Sequence, residues 1–444
     1  MLFTTDKQTL EDLNIFGKHG SDSVYNIFNR TNTRGGAALL EEMFQHPLSD
    51  PAAINRRSGI IQYFSTGAME FPFPPAHFDA TDTYLANTDE RTKLQAADDS
   101  IAKRLTNLVA LDGETAMIYK GVQALVALLK STQEFLLSMN TEEDHVYSAD
   151  KQAMLTLLSE PDFEAVLQTN PKSKLSHAVV AAYDVLFRFR HRAVILQLLR
   201  HIYALDVYLS VARVSAQHGF AFPKALAAGE HIVRLEGVYH PHVKGAVPND
   251  ITITPDGNVI FLTGANMAGK STFMKSLSIA MFLAHMGFPV AAKRMEFAVL
   301  DGIYTTINLP DNLGMGASHF YAEVLRVKKM ANELGQGKNL LIVFDELFRG
   351  TNVKDAYEAT IAITRAFAGK RNSLFVISTH IIEAGDILKA QCDNVRFIYL
   401  PTRMNGNNPV YTYTLESGIT DDRHGMVIIN NEGILDILKR GRIS

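Results

Sequence analysis

The sequence has a single cysteine, Cys392, so no disulfide can form within the chain. An unpaired thiol suits a reducing compartment such as the cytosol. Basic residues are not in excess: 43 Lys and Arg stand against 47 Asp and Glu, a formal charge of −4. The surface as a whole is not built to hold a polyanion, so any nucleic-acid contact has to come from a local patch or an enclosed channel. No apolar run reaches the ~20 residues needed to cross a bilayer. The longest follows the glycine-rich stretch at 264–272 and is interrupted by His285 and Gly287. Met1 to Leu13 carries acids and no apolar core, which excludes a secretory signal there. Internal repeats and low-complexity segments are absent as well. A cytoplasmic protein with no membrane contact is expected. At 444 residues, 47% hydrophobic and 20% charged, it should hold about two or three globular domains.

Glycine and proline are missing over one long stretch, from Lys174 to His218. An unbroken helix of that length would extend roughly 65 Å at ~1.5 Å per residue, more than one core requires, and reads as a lever or spacer. Two helices joined without Gly or Pro are the alternative. The rest of the first half is also helical in pattern. Short helices are expected at Ser21–Phe28, from Gly35 to Met43, and from Pro51 at a first helical turn. Pro72, Pro74 and Pro75 mark an irregular crossing. Ile118, Val122, Leu125, Leu129 and Leu136 share one face of a helix over Thr115–Met139. Another helix covers roughly Lys151–Thr169, broken at Pro161. The cluster Arg188-Phe189-Arg190-His191-Arg192 is the best candidate for phosphate contacts in this half, set against a solvated or salt-bridged helix face.

After Phe222-Pro223 the pattern changes. Ile251–Thr254, Pro255–Asn258 and Val259–Leu262 read as strand, tight turn and strand. Further strands are expected at Gly302–Ile307, Leu340–Phe344, Leu374–Ser378 and Val395–Leu400, with helices at Tyr321–Leu334 and Asp355–Ala368 between them. Such alternation argues for a largely parallel α/β sheet. The fold class expected is therefore α plus α/β: an all-helical domain over residues 1–225, then a P-loop ATPase domain over 226–444.

Three motifs in the second part carry chemistry. Gly264-Ala265-Asn266-Met267-Ala268-Gly269-Lys270-Ser271-Thr272 fits G-x-x-x-x-G-K-[ST] between an apolar strand and a helix, the setting of a phosphate-cradling loop. Gly264 and Gly269 free the backbone N–H groups to face phosphates, and the helix N-terminus adds a favourable dipole. Lys270 would reach the β- and γ-phosphates of ATP, and Ser271 would complete a Mg²⁺ shell. Next, Leu340–Phe344 delivers Asp345 and Glu346 to the end of a strand. Asp345 suits the Mg²⁺ ion, and Glu346 suits the attacking water as general base. Third, Ser378-Thr379-His380 ends another apolar strand, placing His380 to contact the γ-phosphate or that water. The glycine-rich stretch Asp311–Phe320 opens a helix and is a second phosphate site or a flexible linker.

Taken together these motifs resemble the ATPase domain of the MutS family of DNA mismatch-repair proteins. Thr263–Thr272 is similar to that family's T-G-x-N-M-x-G-K-S-T, with Ala268 where glycine is common. Phe288-Pro289-Val290-Ala291-Ala292 resembles its V-P-A segment. Asp311-Asn312-Leu313 and Gly316–Phe320 resemble D-D-L and G-x-S-T-F, Asp345–Thr351 with Asp355 resemble D-E-x-x-R-G-T and the aspartate beyond it, and Thr379-His380 matches T-H. General ABC-type ATPases share this ABC-type logic but use L-S-G-G-Q where Gly316–Phe320 stands. Upstream, Thr33-Arg34-Gly35-Gly36, Leu39-Leu40, Pro47-Leu48 and Ile54-Asn55 look like the start of the family's helical core. Ala204-Leu205-Asp206-Val207 with Phe222-Pro223 looks like the end of its lever. His240-Pro241 and Pro248-Asn249-Asp250 resemble the start of its ATPase domain.

The resemblance implies an ATP-binding set of Asn249, Gly264, Asn266, Met267, Gly269, Lys270, Ser271 and Thr272. It implies Mg²⁺ on Ser271 and Asp345, and catalysis by Glu346 and His380. A homodimer through the ATPase domains would place Ser318 of one copy on the ATP of the other, and nucleotide state would move the levers around DNA. The implied roles are mismatch repair, DNA damage sensing or recombination control. Departures stand beside this. An N-terminal mismatch-reading domain with its Phe-x-Glu wedge and a nuclease-like domain after residue 444 are not expected, and a DNA clamp is expected to be reduced or missing. Ala246 occupies a position where relatives have a phenylalanine against adenine. Arg423-His424-Gly425 replaces S-x-G. A module that switches protein assembly with ATP and binds no DNA is the alternative function.

Overall fold

The structure is a computed structural model and describes residues 3–17, 22–67, 69–94, 113–139, 145–227, 229–307, 319–406, 408–420, 433–434 and 437–438. The candidate residues Asp311, Asn312, Gly316, Ser318 and Arg423–Gly425 lie outside them. Packing divides the chain into two units interleaved in sequence: unit 1 is Met1–Phe28, Phe44–Ser58 and Ser215–Ser444, and unit 2 is Asn29–Met43 and Gly59–Val214.

The first half is helical, as its apolar spacing requires. Helices α1 (Lys7–Asp12), α2 (Val24–Phe28), α3 (Arg34–Gln45), α4 (Pro51–Thr66) and α5 (Pro75–Ala86) are short and set off by turns. Helix α6 (Gly113–Ser138) buries Ile118, Val122, Leu125, Leu129 and Leu136, the stripe its periodicity predicts. After α7 (Ser148–Leu158), Pro161 starts a separate 3₁₀ turn before α8 (Glu164–Gln168). The stretch from Lys174 to His218 is not one unbroken α-helix. Helix α9 (His177–Asp184) passes into a π-helical segment, Val185–Arg190, and α10 (Arg192–His218) restarts beyond His191.

The arginine cluster lies at this break. Asp184 and Arg188 are fully buried and joined by two hydrogen bonds of 2.6 Å. Arg188 also donates to the Thr92 hydroxyl and carbonyl, and the Tyr84 hydroxyl donates to Asp184. A buried charge is tolerated only with such partners. Arg190 pairs with Asp162, and Arg192 donates to the Leu85 carbonyl. The cluster is used inside unit 2, and the salt-bridged reading is the one the structure supports. Helix α10 corrects another expectation: by length and composition it is apolar enough to cross a bilayer, and most of that span is buried within the protein, as in any core helix.

The motif Thr33–Gly36 and Asp206 explain one another. Asp206 on α10 accepts from the Asn32 N–H and side-chain amide, the Thr33 N–H at 2.9 Å and the Thr33 hydroxyl at 2.8 Å, which fixes Thr33 so that its hydroxyl accepts the Gly36 N–H at 2.9 Å and caps α3. A Cβ at Gly36 would overlap that carboxylate. Asp206→Ala is expected to lower the unfolding free energy by about 2–4 kcal/mol by orphaning these buried donors. A urea midpoint indistinguishable from the parent would show that the donors find other acceptors.

Unit 1 is built on two sheets. A four-stranded sheet runs β1 (Lys224–Ala225), β5 (Arg294–Phe297), β2 (Val233–Val238), β3 (Asn249–Ile253). The second has the order β12 (Glu416–Ser417), β9 (Val395–Leu400), β4 (Val259–Gly264), β8 (Leu374–Ser378), β7 (Leu340–Phe344), β6 (Gly302–Thr306). Strands β9, β4, β8, β7 and β6 are parallel and β12 is antiparallel. Helices α11 (Lys270–His285), α12 (His319–Gly335), α13 (Val353–Ala368) and α14 (Glu383–Gln391) connect or flank these strands, and β10 (Thr402–Asn405) pairs with β11 (Asn408–Tyr411).

Strands β3 and β4 flank their turn as expected but belong to different sheets. Burial explains it: β3 alternates buried and exposed residues, whereas β4 is buried at every position and takes parallel neighbours on both sides.

Residues 3–16 complete the β6 edge. Thr4 forms a parallel bridge to Gly302, the Thr305 N–H donates to the Thr9 hydroxyl at 3.0 Å, and Asp12 accepts from the Thr305 hydroxyl and the Ile307 N–H. Asp6 caps α1 and binds Arg326 and Lys329 of α12. Burial pushes its carboxyl up, but the Arg326 and Lys329 contacts outweigh that and hold it well below the usual carboxylate range. Phe44 meets Phe282 and Phe288, and Leu48 donates to the His285 carbonyl at 2.8 Å, which brings residues 44–58 into the same unit.

Candidate functional site

Parallel strands put their C-terminal ends at one edge, and the three motifs meet there. Strands β4, β8 and β7 are consecutive neighbours, with Leu262 opposite Ser378 and Phe344 opposite Ile377. The loop after β4, the acids after β7 and the histidine after β8 are therefore adjacent.

The phosphate loop ends at Gly269, whose φ of +101° at the N-terminus of α11 is open to glycine and strained for other residues. Met267 also takes a left-handed conformation, φ +68°, and is 76% exposed. Lys270 is buried and folds back over the loop, donating to the Gly264 carbonyl at 2.8 Å and the Ala265 carbonyl at 3.2 Å. Burial pulls its pKa down, opposed by Asp345 and Glu346. Its ammonium is thus a desolvated cation on the wall of a cavity.

Ser271 donates a hydrogen bond to one oxygen of Asp345, and Ser378 donates to the other at 2.8 Å. A hydroxyl and a carboxylate converging in this way are hard oxygen donors of the kind a divalent cation takes, so the pair fits Mg²⁺. Glu346 sits in a left-handed conformation, φ +56°. Its carboxylate contacts His380 Nε2 at 2.7 Å and Arg349 at 3.4 Å. The hydrogen bond from His380, ahead of the Arg349 contact and against burial, holds its pKa down at about 2. The group is a carboxylate at neutral pH.

The cavity over this edge is about 560 Å³ and is lined among others by His240, Val243, Ala246, Lys270, Glu346 and Tyr413. Gly269, Asn266, Met267, Ser271 and Thr272 line it as well, whereas Gly264, Asp345 and His380 do not. Asn249 lines it too, with its amide engaged by the protein: it donates to the Tyr413 carbonyl at 2.9 Å and accepts from the Leu415 N–H at 2.7 Å. That clasp holds the segment carrying Tyr413, whose ring lies against Gly269. Tyr413 and His240 were not singled out as lining this space. His240 is kept neutral near pH 7, its pKa pulled down to about 4 by burial and by His242 and Lys275. The cavity thus combines polar and charged groups from the glycine-rich loop with apolar and aromatic side chains, a mixed lining suited to a nucleotide.

Residues 260–441 match the family profile described as MutS domain V, and residues 8–212 match MutS domain III. The DNA mismatch repair protein MutS of Fusobacterium nucleatum is 28% identical over 244 residues, 54% of this chain and 27% of that protein. The protein of the same name from Persephonella marina is 28% identical over 287 residues, covering 62% and 32%. That of Desulfitobacterium hafniense is 28% identical over 259 residues, covering 56% and 30%. The matched stretch therefore spans less than a third of the length of these relatives.

Proposed function

Because this chain belongs to the MutS family, we propose that it hydrolyses ATP and uses the nucleotide state of unit 1 to control binding of DNA. The observation that carries this reading is the meeting of Lys270, Ser271 and Glu346 on the wall of one cavity, with Asp345 hydrogen-bonded to Ser271 and His380 to Glu346. Lys270 would neutralise the β- and γ-phosphates, with the loop N–H groups and the α11 dipole. Glu346 would orient and deprotonate the attacking water, and His380 would fix Glu346 and sense the γ-phosphate. A Mg²⁺ ion held by Ser271 and Asp345 would supply positive charge to the phosphate oxygens. Family membership supports a homodimer through the ATPase units, with Ser318 completing the partner's site, and a role in mismatch repair, damage sensing or recombination in the cytoplasm.

A second reading, an ATP-switched assembly module that binds no DNA, is favoured by one observation: the arginine cluster of unit 2 is spent on Asp184, Asp162 and backbone carbonyls. Titration of duplex, mismatched and branched DNA at low and high salt, with and without ATP, separates the two. Salt-dependent, ATP-modulated binding to any of them is expected. No binding at low salt would leave the assembly reading.

A further inference from the structure

The loop after β7 holds two left-handed non-glycine residues on either side of Leu347, Glu346 at φ +56° and Phe348 at φ +62°. Both are held against their intrinsic preference. Leu347 and Phe348 are buried in one cluster with Val327 and Met330 of α12, and the Leu347 N–H donates to the Ser378 carbonyl at 3.3 Å. The Glu346 carboxylate is engaged by His380 and Arg349.

The same loop is fastened to the first turns of α12. The Phe320 ring meets Phe348 edge-on with centroids 5.8 Å apart, and the buried Glu323 carboxylate accepts the Gly350 N–H at 3.3 Å. Farther along, α12 is pinned on another side by Arg326, which binds Asp6 and donates to the Thr305 carbonyl at 2.7 Å. One end of the helix is thus tied to a strained loop and the next turn to a fixed anchor.

We propose that Glu323 and Phe320 form a latch that couples the position of α12 to occupancy of the phosphate site within the same subunit. The proposal rests on the ATP reading above. Taking up an attacking water adds a third partner to the Glu346 carboxylate and shifts it relative to His380 and Arg349. A loop with two left-handed residues has a ready alternative in ordinary backbone conformations. Phe348 and Gly350 transmit that change to Phe320 and Glu323. Helix α12 presents Tyr321, Val324 and Leu325 outward, so filling the site alters the set of an exposed apolar helix face. Glu323 and Phe320 are positioning residues and touch no nucleotide.

Hydrogen–deuterium exchange on the full chain, at a concentration where it is monomeric, tests this with the β,γ-imido analogue of ATP and Mg²⁺. Amides of 264–275 are expected to become protected in the parent and in the variants. Amides of 319–335 are expected to change exchange rate by about threefold or more in the parent and not in Glu323→Ala. Glu323→Gln keeps an acceptor oxygen and is expected to restore the response. If Glu323→Ala fails to fold, Phe320→Leu, which removes the ring contact and keeps apolar bulk, has to show the same uncoupling. An α12 response that persists in these variants, or is missing in a parent whose phosphate loop is protected, overturns the latch alone. No protection at 264–275 in the parent overturns the ATP reading and the latch with it.

Discussion

Glu346→Gln is expected to bind ATP as tightly as the parent and to turn it over on the order of 10²–10⁴-fold more slowly, the usual contribution of a positioned general base. The amide keeps the size and one acceptor oxygen of the carboxylate, so the contact with His380 and the shape of the cavity survive. What is lost is the negative charge that attracts the water's proton. The parent carboxylate is ionised well below neutrality because its pKa is held at about 2. Acid loss of rate between pH 5 and 7 is therefore expected to come from groups other than Glu346. Equilibrium binding of a fluorescent ATP analogue and steady-state phosphate release, measured across that range, check both statements. Unchanged hydrolysis in the variant would remove Glu346 from the role of base.

Lys270→Met is expected to have the opposite profile. The ammonium is buried and bonded to two backbone carbonyls, so in the empty protein its charge is a liability partly offset by hydrogen bonds. Methionine keeps the length of the side chain and removes the charge. Stability should stay within about 1 kcal/mol of the parent. ATP affinity should fall by about 10²–10³-fold, because charge-assisted hydrogen bonds to the phosphates are lost. Calorimetric titration and a urea melt on the same sample test the pair of expectations. Weak binding with a collapsed melt would make Lys270 a structural residue first.

The parallel strands and the three motifs were legible because each is local. Strands buried on both faces are continuous apolar runs, and the residues that follow β4, β7 and β8 need only be read off their ends. The stripe of α6 was legible for the same reason. Other features depend on partners far away in the chain. Thr4, Asp6, Thr9 and Asp12 are ordinary polar residues until Gly302, Thr305 and Arg326 are placed beside them. The turn at Pro255–Gly257 looked like a hairpin because pairing of β3 with β2, and of β4 with β8 and β9, is settled by burial rather than by the turn. The Asp184–Arg188 pair beside the π-helical segment has the i,i+4 spacing of an ordinary surface pair, and its burial depends on Tyr84 and Thr92, far away in the chain. Tyr413 carries no local signal, because it is held at the cavity by the amide of Asn249, 164 residues earlier.

The attachment of residues 3–16 to the β6 edge bears on how the protein is made. Thr9 and Thr305 are 296 positions apart, and Asp6 and Arg326 are 320 apart. Within unit 2, the long segment 59–214 is contiguous and meets most of its partners as it leaves the ribosome. Unit 1 has to wait. During synthesis Asp6, Thr9 and Asp12 stay without their partners in 302–329 until strand β6 and helix α12 emerge, so the helical unit is expected to form before the six-stranded sheet closes. Helix α1 is made long before its partners and is among the last to dock.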